Sequence, residues 1–213
     1  MLVTVLAVNM SGDDHSHDHE PGHHHEHVDA SVAAHDDWAR RRRKGIPTDK
    51  QLLVVACMDE RIPVEAALGI DLGDAQVYRN AGGKVTDDVI RSAALTTQFF
   101  DTEEIIVVNH TDCGMMSAPD DAVVEGLEAA AGGSLDDVDL DPSLPDLSIG
   151  DASVADWVRM TDDIDEACAA QVRYLEEHPL VDATVHGYVY EVESGQLRHP
   201  GGRIAEEIST RES

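Results

Sequence analysis

The chain's 213 residues suffice for one domain with a full hydrophobic core, and a hydrophobic content of 42% argues against wholesale disorder. Its 43 acidic residues against 15 basic ones give a formal net charge of −28, which speaks against nucleic-acid binding and docking on anionic membrane surfaces. Cys57, Cys113 and Cys168, odd in number and few, do not describe a secreted disulfide scaffold and fit reduced thiols in a cytoplasmic protein.

Leu2 to Val8 is apolar but too short to span a bilayer, and it lacks a basic leader; Met10 offers an alternative start. Gly12 to His35 carries eight of the twelve histidines among Asp and Glu. Residues 1–35 are therefore expected to be a disordered, His-rich acidic tail. A solvated tail is favoured over weak metal capture by imidazole and carboxylate. Asp36 to Lys44 is expected to form a short helix, with Trp38 packed and Arg40 to Lys44 in solvent. The acidity reads as the surface of a halophile's protein, whose carboxylates stay solvated where salt screens their repulsion.

Residues 36–205 are expected to form a single domain, with 206–213 a C-terminal tail. Gln51 to Ala56 is a continuous apolar run, the pattern of a buried parallel strand. A helix follows from Pro63 to Leu68, with the proline near its first turn. Ala75 to Arg79 is a shorter strand, and Asn80-Ala81-Gly82-Gly83 is a loop that must turn tightly or approach something closely. Thr86 to Phe100 has helical periodicity, with Thr86 placed to cap it. Glu104 to His110 is the clearest strand. Residues 118–156 form an acidic excursion with one short helix near Ala122 to Ala131. Asp162 to Glu177 is an amphipathic helix, on whose apolar side Cys168 is a small core residue. Ala183 to Val192 is a strand, Ser194-Gly195 a turn, and Gln196 to Arg198 the return. Strands alternating with helices predict an α/β fold around a mainly parallel sheet of four or five strands with flanking helices.

Two segments carry chemistry: Cys57-Met58-Asp59-Glu60-Arg61 after one strand and His110-Thr111-Asp112-Cys113-Gly114 after another. Ligands in open α/β sheets bind beyond the carboxyl ends of strands, so two adjacent ends would bring Cys57, His110 and Cys113 together. Two thiolates and an imidazole suit Zn2+, and three protein ligands leave the open position that catalytic zinc requires. Asp59 could close that position itself. An Arg61 paired with it would keep it ionised and occupied, leaving it to orient a water.

These segments, with Tyr78-Arg79-Asn80-Ala81-Gly82, His110 to Met115, and Val185-His186-Gly187-Tyr188-Val189-Tyr190-Glu191-Val192 with Ser194-Gly195, resemble the β-class carbonic anhydrases across about residues 45–200, in the form found in archaea and bacteria. The resemblance implies Cys57, His110 and Cys113 as zinc ligands and Asp59–Arg61 as an orienting dyad. It implies reversible hydration of carbon dioxide to bicarbonate and a proton, by a homodimer or homotetramer. The His-rich tail and the acidic excursion depart from the pattern, as does Gly83, where many relatives carry Asn. Relatives that hydrolyse carbon disulfide or carbonyl sulfide use the same zinc set, so that activity is the first alternative. A non-catalytic zinc-binding protein is the second, supported by the tail alone. His186 and the tail histidines are candidate proton shuttles only because imidazole titrates near neutrality.

Overall fold

The structure, a computed structural model, describes residues 24–41, 50–137, 158, 161 and 163–204. It divides into two compact units, residues 1–45 and 46–213.

The described part of the first unit is one helix, α1 (His24–Arg41). Residues 24–35, expected to be disordered, are helical, and the helix starts well before Asp36. Ala30, Ala33 and Ala34 lose no side-chain entropy on ordering, no Gly or Pro interrupts the segment, and Arg40 suits the negative C-terminal pole. The histidine-rich composition masked these propensities. Trp38 is not packed as expected: it remains 46% exposed and stacks on His35, with ring centroids 5.6 Å apart. Residues 1–23 and Arg42 to Lys44 lie outside the described residues.

The second unit contains β1 (Leu52–Cys57), α2 (Val64–Ala67), β2 (Ala75–Asn80), α3 (Asp87–Phe99), β3 (Glu104–His110) and α4 (Asp120–Ala131). These are followed by α5 (Ile164–Glu177), β4 (Thr184–Tyr190), β5 (Leu197–His199) and the two-residue β6 (Arg203–Ile204). The strands form one sheet in the order β2-β1-β3-β4-β5-β6. The first four are parallel, and the last two pairings are antiparallel. This is the mainly parallel α/β sheet expected, with β6 as a short addition at its edge.

β1 and β3 read as unbroken apolar runs because both of their faces are covered. Val54, Ala56 and Val108 point into one core with Ile62, Val64, Cys113 and Met116. Leu53, Val55, Ile105 and Val107 point into the other with Val89, Ala93, Leu175 and Val185. Helix α5 lies flush on β4 at Gly187, where a Cβ would come within 2.7 Å of Val172 Cγ2 and 3.2 Å of Cys168 Sγ. Cys168 is fully buried there, as its place on the apolar side of the helix predicts.

The helix starts differ in detail. Thr86 occupies the cap position of α3 in extended conformation, but its side chain makes no cap hydrogen bond. The acidic first turn, Asp87 and Asp88, serves the dipole instead. Asp163 caps α5, accepting from the N–H groups of Asp165 at 2.9 Å and Glu166 at 3.0 Å. Of the acidic excursion, residues 118–137 are described, with α4 and a following turn over Leu135–Asp137 in which Leu135 is buried; residues 138–156 are not.

Candidate metal centre

The chain leaves β1 toward β2 on one side and leaves β3 toward β4 on the other. The crevice beyond the carboxyl ends of β1 and β3 is therefore the topological switch point of the sheet, where α/β folds bind ligands. Cys57 is the last residue of β1 and His110 the last of β3. After His110 the chain folds back: Asp112 adopts a left-handed φ of 54°, and the Cys113 carbonyl accepts the N–H groups of Met116 and Ser117. Thr111 ties this loop to the end of β4, donating its N–H to Tyr190 O and accepting that of Val192 at Oγ1.

The result is a buried cluster. One ligand atom from each of Cys57, His110 and Cys113 lies within 4.8 Å of the others. The two sulfurs are 3.8 Å apart, in contact but not bonded. His110 Nδ1 sits 2.9 Å from the Thr111 carbonyl, which can only accept, so Nδ1 carries the proton and Nε2 presents its lone pair. Nε2 is buried with no hydrogen-bond partner among the described residues. A buried nitrogen without a partner, aimed at two buried sulfurs, is what a thiophilic cation would satisfy.

The electrostatics agree. The contact from Cys113 is the main influence holding the Cys57 thiol down to about 4, against the opposing effect of burial. His110 and the backbone N–H groups of Asp59 and Gly82 assist. The same contact, with burial, pushes Cys113 up. Burial disfavours a charged His110, but the adjacent Cys57 sulfur, the Thr111 carbonyl and the Asp59 charge raise its pKa overall. Without a metal the two sulfurs share a proton between them, and a divalent cation would displace it.

Asp59 stands at the rim, its Oδ2 3.8 Å from His110 Nε2. Arg61 occupies both of its oxygens: the backbone N–H reaches Oδ1 at 2.9 Å, Nε reaches Oδ1 at 3.0 Å, and Nη2 reaches Oδ2 at 2.7 Å. The side-chain bond from Arg61 leads in holding the Asp59 carboxyl down to about 2. On its far side the guanidinium donates to the Asp112 carboxylate at 2.8 Å and carbonyl at 2.9 Å.

All five residues singled out from the sequence thus converge. His186 does not: it pairs with Ile106, four residues before the level of His110, roughly 13 Å along the strand. Sequence reasoning missed two groups. Arg79 donates to the carbonyls of Cys57 at 2.9 Å and Asp59 at 2.6 Å, fixing the backbone that carries both. Asn109, fully buried, holds the glycine turn beside Cys57. The available signal was an amide inside an otherwise apolar strand buried on both faces, which must find a partner.

The model of the carbonic anhydrase family matches residues 52–197, which contain every residue of this cluster. The chain belongs to the β-carbonic anhydrase family. Within this family it is 36% identical to β-carbonic anhydrase 1 of Mycobacterium tuberculosis over 71% of this chain and 83% of that one. It is 50% identical to a carbon disulfide hydrolase of Acidithiobacillus thiooxidans over 87% of this chain and 95% of the other. The solved apo carbon disulfide hydrolase matches with a TM-score of 0.62 and 44% identity over 87% of this chain and 95% of that one. The carbonic anhydrase of Streptococcus mutans matches with a TM-score of 0.65 and 31% identity, covering 82% and 98%. As a β-carbonic anhydrase family member the chain has a metal-dependent kinship and a Cys–His–Cys cluster that could bind the ion. Among the described residues no helix is long and apolar enough to cross a membrane.

Proposed function

We propose that Cys57, His110 and Cys113 hold a zinc ion, and that the protein adds water to a small, linear, uncharged molecule of the type X=C=X, with carbon disulfide as its substrate. The observation that carries the reaction class is the pairing of a buried three-ligand cluster with a carboxylate held off it by Arg61. The donor set fits zinc, and three ligands leave one position for chemistry. When bound, the ion supplies a Lewis acid that lowers the pKa of a water ligand to about 7.

The protein's own part is orientation. Arg61 keeps Asp59 ionised, so at any working pH Asp59 accepts a hydrogen bond and never donates one. It selects the protonated side of the attacking oxygen and turns the lone pair toward the substrate carbon. Because Arg61 already engages both carboxylate oxygens, Asp59 does not fill the open position. His110, fixed through Nδ1, keeps Nε2 aimed at the centre.

Carbon disulfide is placed first on kinship: relatives of that name share 43–50% identity over 82–87% of this chain. Complete hydrolysis consumes two waters and releases carbon dioxide and two molecules of hydrogen sulfide. Carbon dioxide hydration, the reaction implied by the motifs, is the second reading, supported by the Mycobacterium tuberculosis and Streptococcus mutans relatives. The test uses zinc-loaded full-length protein in high salt. It measures sulfide release from carbon disulfide and, separately, carbon dioxide hydration by stopped-flow pH indicator. Sulfide release is expected; hydration alone supports the second reading, and neither activity at full zinc occupancy overturns the reaction class.

A further inference from the structure

A directed chain of hydrogen bonds runs from helix α5 to the glycine turn beside Cys57. Gln171, on α5, accepts the Val85 backbone N–H at Oε1, 2.6 Å away, and donates from Nε2 to Asn109 Oδ1 at 3.0 Å. Asn109 in turn donates from Nδ2 to the carbonyls of Gly82 at 2.9 Å and Gly83 at 3.3 Å. Asn80 closes the base of the same turn, exchanging bonds with the carbonyl and N–H of Lys84 at 2.8 and 2.9 Å.

The polarity of this relay is fixed at both ends. A backbone N–H at Val85 demands an acceptor, and two carbonyls at Gly82 and Gly83 demand a donor. Only a group carrying both, in the right order, serves at positions 171 and 109, and a side-chain amide is that group. Asn109 is fully buried, so a mispaired end there costs more than a surface bond would. The turn it holds has no slack: Gly83 lies so close to β1 and β3 that a Cβ would fall 2.8 Å from Cys57 N and 3.1 Å from Val108 O.

From this geometry we infer that Gln171 is a positioning residue for the metal centre: acting through Asn109, it sets the Gly82–Gly83 turn, against which the backbone of the Cys57 ligand is packed. The inference rests on the zinc reading above. A turn packed directly on a ligand's backbone fixes the direction of its sulfur, and such outer supports are worth roughly 10–100-fold in metal affinity or activity.

The test compares the full chain with Gln171→Met, which keeps the length of the side chain and removes both bonds. Gln171→Glu is the second variant; it keeps the acceptor for Val85 and loses the donor to Asn109. Zinc affinity is read by chelator competition, well below the melting temperature, and the cobalt-substituted proteins are read by their sulfur-to-metal charge-transfer absorption. Zinc affinity is expected to fall roughly tenfold or more in either folded variant, with a shifted charge-transfer band. A lowered melting temperature with zinc affinity within about twofold of the parent and an unchanged cobalt spectrum overturns the inference. Absence of zinc binding by the parent chain overturns the underlying metal reading instead, so the two failures are distinct.

Discussion

Replacing Gly83 with alanine should cost stability in two separable parts. The residue has φ +62°, where an L-residue with a Cβ loses roughly 1–2 kcal/mol. The added Cβ would also meet only backbone, at 2.8 Å from Cys57 N, 2.9 Å from Ala56 C and 3.1 Å from Val108 O, so no side chain can swing aside. Overpacking of this kind adds roughly 1–3 kcal/mol, for a total of roughly 2–5 kcal/mol. For a domain of this size that lowers the melting temperature by roughly 4–20 °C. Gly132→Ala is the internal control: it has φ +73° but nothing within 4 Å, so only the conformational part applies. Thermal unfolding of the zinc-loaded proteins measures both. If the two variants melted within about 2 °C of one another, the close approach of Gly83 to β1 and β3 would carry no energetic weight.

Asp59→Asn should retain full zinc occupancy and lose most turnover, roughly 100-fold or more, because the amide can donate to the attacking oxygen and misorient it; unchanged turnover removes Asp59 from the mechanism. Tyr78 donates to Asp88 at 2.7 Å, and this bond, then burial, moves its phenol up to about 12. The folded pKa exceeds the unfolded one, so the contribution is present below pH 10 and lost as pH rises through about 12. Asp88→Ala should bring the Tyr78 midpoint back toward 10 in an ultraviolet titration, and an unmoved midpoint refutes the pairing.

Much of the fold was legible because the strands that build it are buried on both faces. Glu104 to His110 and Gln51 to Ala56 have no period to misread, and their ends fell within a residue of the observed ones. The first part of α1, residues 24–35, was not legible, because composition and propensity pulled apart. Histidines and acids between residues 12 and 35 lower hydrophobicity, the signal of disorder. Alanine content and the absence of breakers, the signal of a helix, act independently of it. Thr86 shows a related limit: a good cap residue in a cap position need not make the bond when an acidic first turn already meets the dipole.

The candidate site divides along the same line. Cys57, Asp59, Arg61, His110 and Cys113 announce themselves because a metal centre needs rare side chains, and short spacings at two strand ends bring them together. Arg79, Asn109 and Gln171 do not, because each acts on backbone, and any donor or acceptor of the right reach would look equally suitable in a sequence. What singles them out is direction. Arg79 meets two carbonyls, while Gln171 and Asn109 join an N–H to two more. The Cys57 segment is thereby pinned from β2 on one side and from α5 on the other. A centre held by three side chains from two strand ends has little geometric tolerance, and a sheet that twists and breathes does not supply it. The amide relay and the Arg79 clamp convert a crevice between two strands into fixed ligand positions, so the site's precision resides as much in those three residues as in the ligands.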